Sequence, residues 1–82
     1  MKVSVLFFGP ARDLAGTAAA EMESPPGEDL AGLRQRCERR FPRLIALRGA
    51  LVLALNQELA PASAPVHEGD EVAFMPPVSG GR

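Results

Sequence analysis

The chain has 82 residues, 46% of them hydrophobic and 23% charged, with a formal net charge of -1. That length allows one domain with a small core, and the balanced charge argues against a nucleic-acid binder, which needs a clear excess of Lys and Arg. A single cysteine, Cys37, excludes an intrachain disulfide framework and fits a reducing compartment.

The N-terminus lacks the longer apolar region and small-residue cleavage site of a signal peptide, and no apolar stretch reaches the length of a membrane span. A soluble, cytoplasmic protein without nucleic-acid or membrane partners is expected. Lys2 to Phe8 is rich in β-branched and aromatic residues and reads as a strand. Alternation puts Val3, Val5 and Phe7 on one face and Lys2, Ser4, Leu6 and Phe8 on the other. Gly9-Pro10 breaks it, and Ala11 to Gly16 is a loop or a short helical turn. Thr17 to Glu23 alternates weakly and reads as a second strand forming a hairpin with the first, although its alanines are poor strand formers.

Ser24-Pro25-Pro26-Gly27 is a loop. A helix begins near Asp29, whose carboxylate suits an N-cap. Leu30, Leu33, Cys37 and Phe41 share one helical face, while Arg34, Arg36, Glu38 and Arg40 lie mostly off it and are expected in solvent. Arg39 and Arg40 favour the negative end of the helix dipole, and Pro42 marks the stop. Arg43 to Gly49 is a connection with room for a helical turn. Ala50 to Leu55 is an apolar run suited to a strand buried on both faces, with a short helix the alternative that periodicity leaves open. Asn56-Gln57 is a turn, Glu58 to Ala60 a short returning strand, Pro61 to Pro65 a loop, and Glu68-Gly69-Asp70 a tight turn. Glu71 to Met75 is the last strand, with Val72 and Phe74 on one face and Ala73 and Met75 on the other.

The order strand, strand, helix, strand, short strand, strand implies an α+β fold of the ubiquitin-like β-grasp type. Its mixed sheet of four to five strands has one main helix packed across it. The expected organisation is a domain over residues 1–75 and an extended flexible tail over residues 76–82. Pro76 and Pro77 stiffen the start of that tail, and seven extended residues reach roughly 23–25 Å.

No side-chain catalytic set is apparent. His67 is a lone histidine in a proline-rich loop and reads as solvated. Cys37 reads as a buried structural thiol. No metal-ligand spacing is present, and Gly80-Gly81 opens no helix that would cradle a phosphate. Two readings of the tail stand: a frayed end, or a thin arm that enters a narrow channel in another protein, where glycine permits close backbone approach.

Leu55-Asn56-Gln57-Glu58 and the run from Glu68 through Val72, Phe74, Met75, Pro76, Pro77, Val78 and Ser79 to Gly80-Gly81 resemble the C-terminal half of molybdopterin synthase small subunits. Val5 to Gly16 resembles that family's first strand and loop. The likeness spans almost the whole chain, and Pro-Pro-Val-Ser-Gly-Gly is its most discriminating part. The resemblance implies a non-catalytic sulfur carrier. An E1-like adenylyltransferase would use ATP and magnesium to activate Gly81 as an acyl adenylate. A sulfur donor, a cysteine desulfurase or a rhodanese-like protein, would then convert it to a thiocarboxylate. That sulfur would pass to a cyclic pyranopterin precursor in the large subunit, which holds the catalytic lysines, within a heterotetramer. The carrier itself would bind no stable cofactor beyond the covalent sulfur.

The expected docking residues are Leu6, Phe8, Phe74, Met75, Pro76, Pro77, Val78 and Ser79, with core packing the alternative for Leu6 and Phe8. Gly80 and Gly81 would form the working end. Arg82 departs from the family pattern, because it leaves Gly81 in a peptide bond. Trimming of Arg82 is the favoured account, against a diverged paralogue or a tolerated arginine. Rival functions are a sulfur carrier for thiamine, cysteine or tRNA thiolation, a ubiquitin-like modifier, and an interaction module with an inert tail.

Overall fold

The computed structural model describes residues 1–76. Strand β1 (Lys2–Phe7) buries Val3, Val5 and Phe7 and turns Lys2 and Ser4 outward, as alternation requires. Gly9, at φ 56° and ψ -132°, takes a backbone conformation that favours glycine and redirects the chain into the short helix α1 (Pro10–Ala15). Pro10 is tolerated there because the first helical N–H has no partner in any case. Gly16 ends α1 in the left-handed region at φ 77°.

Strand β2 is Ala19–Glu23, two residues shorter than the expected Thr17 start. The Thr17 hydroxyl donates to the Ala19 carbonyl at 3.0 Å, and the Ala19 N–H approaches the same hydroxyl at 3.4 Å. This local side-chain bonding holds Thr17 in a bend, while the Ala18 carbonyl still accepts the Phe7 N–H at 2.9 Å. Helix α2 (Leu30–Arg40) starts where the sequence indicates, with the Asp29 carboxylate accepting the Gly32 N–H at 2.9 Å. The Leu30 and Ala31 N–H groups, otherwise unpartnered at a helix start, donate to the carbonyls of Ala64 and Ala62 in the distant loop.

Leu30, Leu33 and Cys37 are buried against the sheet. Phe41, just beyond the helix, meets Phe7 edge-on with ring centroids 5.3 Å apart. One 3-10 segment, Pro42–Leu47, fills the connection and buries Leu44. It also overturns one expectation. Glu38 is only 5% exposed rather than solvated. The chain folds back after the 3-10 segment and brings the Arg48 guanidinium to 2.6 Å from the Glu38 carboxylate, with Arg34 at 3.8 Å. A carboxylate tolerates that burial only because it is paired.

Strands β3 (Val52–Leu55) and β4 (Glu58–Leu59) are joined by Asn56 and Gln57, both at positive φ (53° and 73°). Strand β3 is shorter than the apolar run that suggested it, and only Ala54 in it is buried. The expectation of burial on both faces fails because β3 lies toward one side of the sheet, next to the two-residue β4. Strand β5 is Glu71–Met75.

The sheet order is β2-β1-β5-β3-β4. The central pair, β1 and β5, is parallel with Val5 opposite Val72 and Phe7 opposite Phe74. The other pairs are antiparallel. Val3, Val5, Phe7, Met22, Val72 and Phe74 form the inner face and pack with Leu30, Leu33, Cys37, Leu44 and Val66 into one core. Each fully buried aliphatic or aromatic side chain there stabilises the fold by about 1.5–3 kcal/mol relative to exposure.

Candidate functional site

The outer face of the sheet carries the candidate site. The pairing register sets Leu6 beside Ala73 and Ala73 beside Ala54. These small and medium side chains, with Phe8, Met75, Gln57 and Glu71, line a shallow depression of about 350 Å³. Its floor is made of alanine, and Leu6, Phe8 and Met75 form its apolar walls. Phe8 is 46% exposed, Leu6 and Met75 are half-buried and Pro76 is exposed. Leu6 and Phe8 therefore face away from the core, which removes the core-packing alternative for them.

Phe74 does not belong with them. It is 1% exposed, sits on the inner face and contacts the Phe7 ring at 5.5 Å. Its expected place on the docking surface is corrected on simple geometric ground: alternate residues of β5 point to opposite faces, so Met75 outward requires Phe74 inward.

The root of the C-terminal segment is held where β1 and β5 end together. The Phe8 N–H donates to the Phe74 carbonyl at 3.0 Å. A methyl group built on Gly9 would lie 3.5 Å from the Pro76 ring, so Pro76 rests against the β1–α1 turn. The central strand thus delivers the chain at the rim of the outer depression. Pro77, Val78, Ser79, Gly80 and Gly81, the remaining expected site residues, lie outside the described residues, as does Arg82.

Other chemistry is thin. Burial pushes the Cys37 thiol up to about 12, against a smaller opposing effect of Arg40, so it stays protonated and is no nucleophile. His67 is largely exposed, with Nδ1 3.8 Å from the Asp70 carboxylate. Asp70 is held below the ordinary carboxylate range, chiefly by the Asn56 amide donating at 3.0 Å and then by the His67 backbone N–H at 2.7 Å, against some burial. No cluster of three or more potential metal ligands occurs among the described residues. No helix among them is long and apolar enough to cross a membrane.

The sequence missed Ala54, Gln57 and Glu71 as lining residues. Alternation places Ala73 with Met75, but nothing local brings Ala54 or Gln57 to them. That needs the β3–β5 register.

A five-stranded mixed sheet with a central parallel pair, one long helix across one face and a glycine-rich sequence following the middle strand defines a ubiquitin-like β-grasp protein. The chain belongs to the ThiS family, which it matches over residues 5–81. It is 43% identical over 83 residues to the molybdopterin synthase sulfur carrier subunit of Escherichia coli strain K12, covering 96% of this chain and 99% of that one. The fold superposes on molybdopterin converting factor subunit 1 from Pyrococcus furiosus with a TM-score of 0.88 at 26% identity, over 95% of this chain and 99% of that one. It also superposes with a TM-score of 0.72 at 30% identity on a chain of the complex of subunits 1 and 2 of the molybdopterin-converting factor from Helicobacter pylori 26695. That match covers 99% of this chain and all of that one.

Proposed function

We propose that this chain is the sulfur carrier subunit of a molybdopterin synthase, with the Gly81 carboxylate as its reactive group. The observation that carries the reading is full-length similarity to proteins of that name, 34–43% identical, joined to a middle strand that ends beside an exposed apolar depression. A carrier needs a rigid body, a partner surface next to its working end, and no catalytic side chains of its own. The compact body and the exposed apolar depression near Pro76 support this reading.

The chemistry follows from the weakness of a carboxylate as an electrophile. In the proposed sequence an E1-like enzyme joins Gly81 to the α-phosphorus of magnesium-bound ATP and releases pyrophosphate. The donor's persulfide then displaces AMP to form an acyl disulfide, and a thiol cleaves its S–S bond, leaving the thiocarboxylate and a new disulfide on the donor side. The sulfur attacks the pterin precursor in the large subunit, and two carriers serve each dithiolene. Leu6, Phe8, Met75 and Pro76 dock the body on that subunit while Pro77, Val78, Ser79 and Gly80 lead to the reactive end. A standard interface buries about 800 Å² per partner, and Phe8 is its aromatic anchor.

Arg82 follows Gly81 in the sequence, so Gly81 becomes a free carboxylate only after cleavage behind it. The test is intact-protein mass spectrometry after incubation with the activating enzyme, ATP, magnesium and a sulfur donor. A chain ending at Gly81 should gain the mass difference between oxygen and sulfur, whereas the chain retaining Arg82 should not. Equal conversion of both would overturn the requirement for cleavage, and conversion of neither would overturn the carrier reading.

A further inference from the structure

Charge is segregated along this chain. Residues 34–48 carry six arginines against one glutamate, and nine of the ten acidic residues lie outside that stretch. The fold turns part of this bias into an asymmetry: Arg36 pairs with Glu28 at 2.8 Å and Arg40 donates to the Glu21 carbonyl on β2, while the others gather elsewhere. Phe41 packs on Phe7, the last residue of β1, and β3 begins with Val52 opposite Met75, the last residue of β5. The 3-10 segment between them packs on α1. Exposed Arg39, Arg43 and Arg48, together with Arg12 of α1, therefore surround the end of the sheet at which β5 gives way to Pro76.

Little there neutralises them. Glu38 is committed to Arg48 and Arg34, and Asp13 is the other nearby acid. Arg39 and Arg43 form no ion pair among the described residues. At the opposite end β1 begins, β2 finishes and β5 begins. Glu23 and Glu68 stand there beside Lys2, and Asp70, Glu28 and Asp29 lie close by. The two ends of the sheet thus differ in the sign of their exposed charge.

A groove of about 400 Å³ between α2 and the 3-10 segment lies within the positive end. Arg34, Arg39 and Arg48 line it around Ile45, an aliphatic side chain left 48% exposed. Guanidinium groups around an exposed apolar residue suit a protein surface that offers carboxylates around an apolar side chain.

We propose that this positive end is a docking surface for an acidic protein surface bordering the site that receives the C-terminus, and that it orients the carrier during encounter. The proposal rests on the sulfur-carrier reading. The surface lies toward the end of the sheet where β5 gives way to Pro76, and so toward the root of the C-terminal segment. Nucleic acid fits less well: the net charge is -1, and Pro42 and Ile45, rather than aromatic stacking platforms, accompany the arginines. A second copy fits less well too, because positive-to-negative pairing is head-to-tail and builds rings or filaments rather than the commoner two-fold dimer. Fields of this kind raise association rates by roughly tenfold or more and fade as salt shortens the screening length.

The experiment measures association of the full chain with the second subunit encoded in the same genome, by stopped flow, from about 20 to about 500 mM ionic strength. Arg39→Glu combined with Arg43→Glu should slow association roughly tenfold at low salt, with the deficit vanishing at high salt and the dissociation rate nearly unchanged. The Arg39→Gln, Arg43→Gln pair should fall between, and Arg39→Lys with Arg43→Lys should keep the original rate. A glutamate pair within about twofold of the original chain, or a deficit that salt does not remove, would overturn the proposal. Tighter binding of a DNA duplex, or concentration-dependent self-association by light scattering that the glutamate pair abolishes, would overturn it in favour of those occupants. Failure of the unaltered chain to bind at any ionic strength would overturn the carrier reading and this inference together.

Discussion

Asp70 shows how one side chain is set by distant partners. Its carboxylate accepts from Asn56, fourteen residues away, and from the His67 backbone, while the Asn56 carbonyl oxygen accepts the Glu71 N–H at 3.0 Å. These bonds favour the ionised form and lower its titration below the ordinary aspartate range. The resulting stability is present at neutral pH and is lost as pH falls through the lowered folded value. Asp70→Asn places an NH2 group opposite one of the two donors. It should cost about 1 kcal/mol at neutral pH, with the gap to the unaltered protein closing in acid. Urea midpoints across pH would check this, and a gap that stays constant into acid would count against the ionised carboxylate as the cause. Composition made Glu68-Gly69-Asp70 legible as a turn. It could not show which groups Asp70 would meet, because Asn56 arrives by tertiary pairing. Glu38 teaches the same lesson more sharply, since a polar side chain off the apolar stripe was buried by Arg48, a residue ten positions on.

At the scale of elements, local chemistry was a good guide wherever one residue type had one structural use. Asp29 as N-cap, Gly9-Pro10 as strand break, Pro42 as helix stop and Asn56-Gln57 as turn all stand in the structure. The β3–β4 turn holds two consecutive positive-φ residues, a conformation that asparagine tolerates and glutamine resists. Gln57→Gly should therefore stabilise the protein by about 0.5–1 kcal/mol, read as a rise in thermal midpoint. A fall in midpoint would mean that the Gln57 side chain contributes more at the outer depression than its backbone strain costs. Edges were less legible. Strand β2 begins two residues late, where the Thr17 hydroxyl bonds to Ala19, and β3 begins at Val52 although the apolar run starts at Ala50. Apolar composition sets where a strand is permitted, whereas ladder partners set where it occurs.

For the whole molecule, the decisive fact is that the two faces of one sheet are covered differently. The inner face is sealed by α2, and among the described residues no helix covers the outer one. Phe8→Ser removes the aromatic wall of the outer depression without touching the core. It should weaken binding to the second subunit by about 2 kcal/mol or more, as expected for an aromatic anchor, while the thermal midpoint barely moves. Calorimetric titration beside a melting curve separates the two effects, and a matching loss of fold stability would return Phe8 to a packing role. The amino-acid order by itself determined the elements, the two faces of β1 and β5, the buried thiol and the family resemblance, because strand periodicity, helix spacing and capping act over a few residues. Tertiary structure alone decided that β1 and β5 are parallel neighbours, that Ala54 and Gln57 join Leu6 and Met75, and that Glu38 is buried by Arg48. Those outcomes depend on contacts between residues far apart in the chain, and such contacts form only when burial of the common core offsets the entropy of bringing them together.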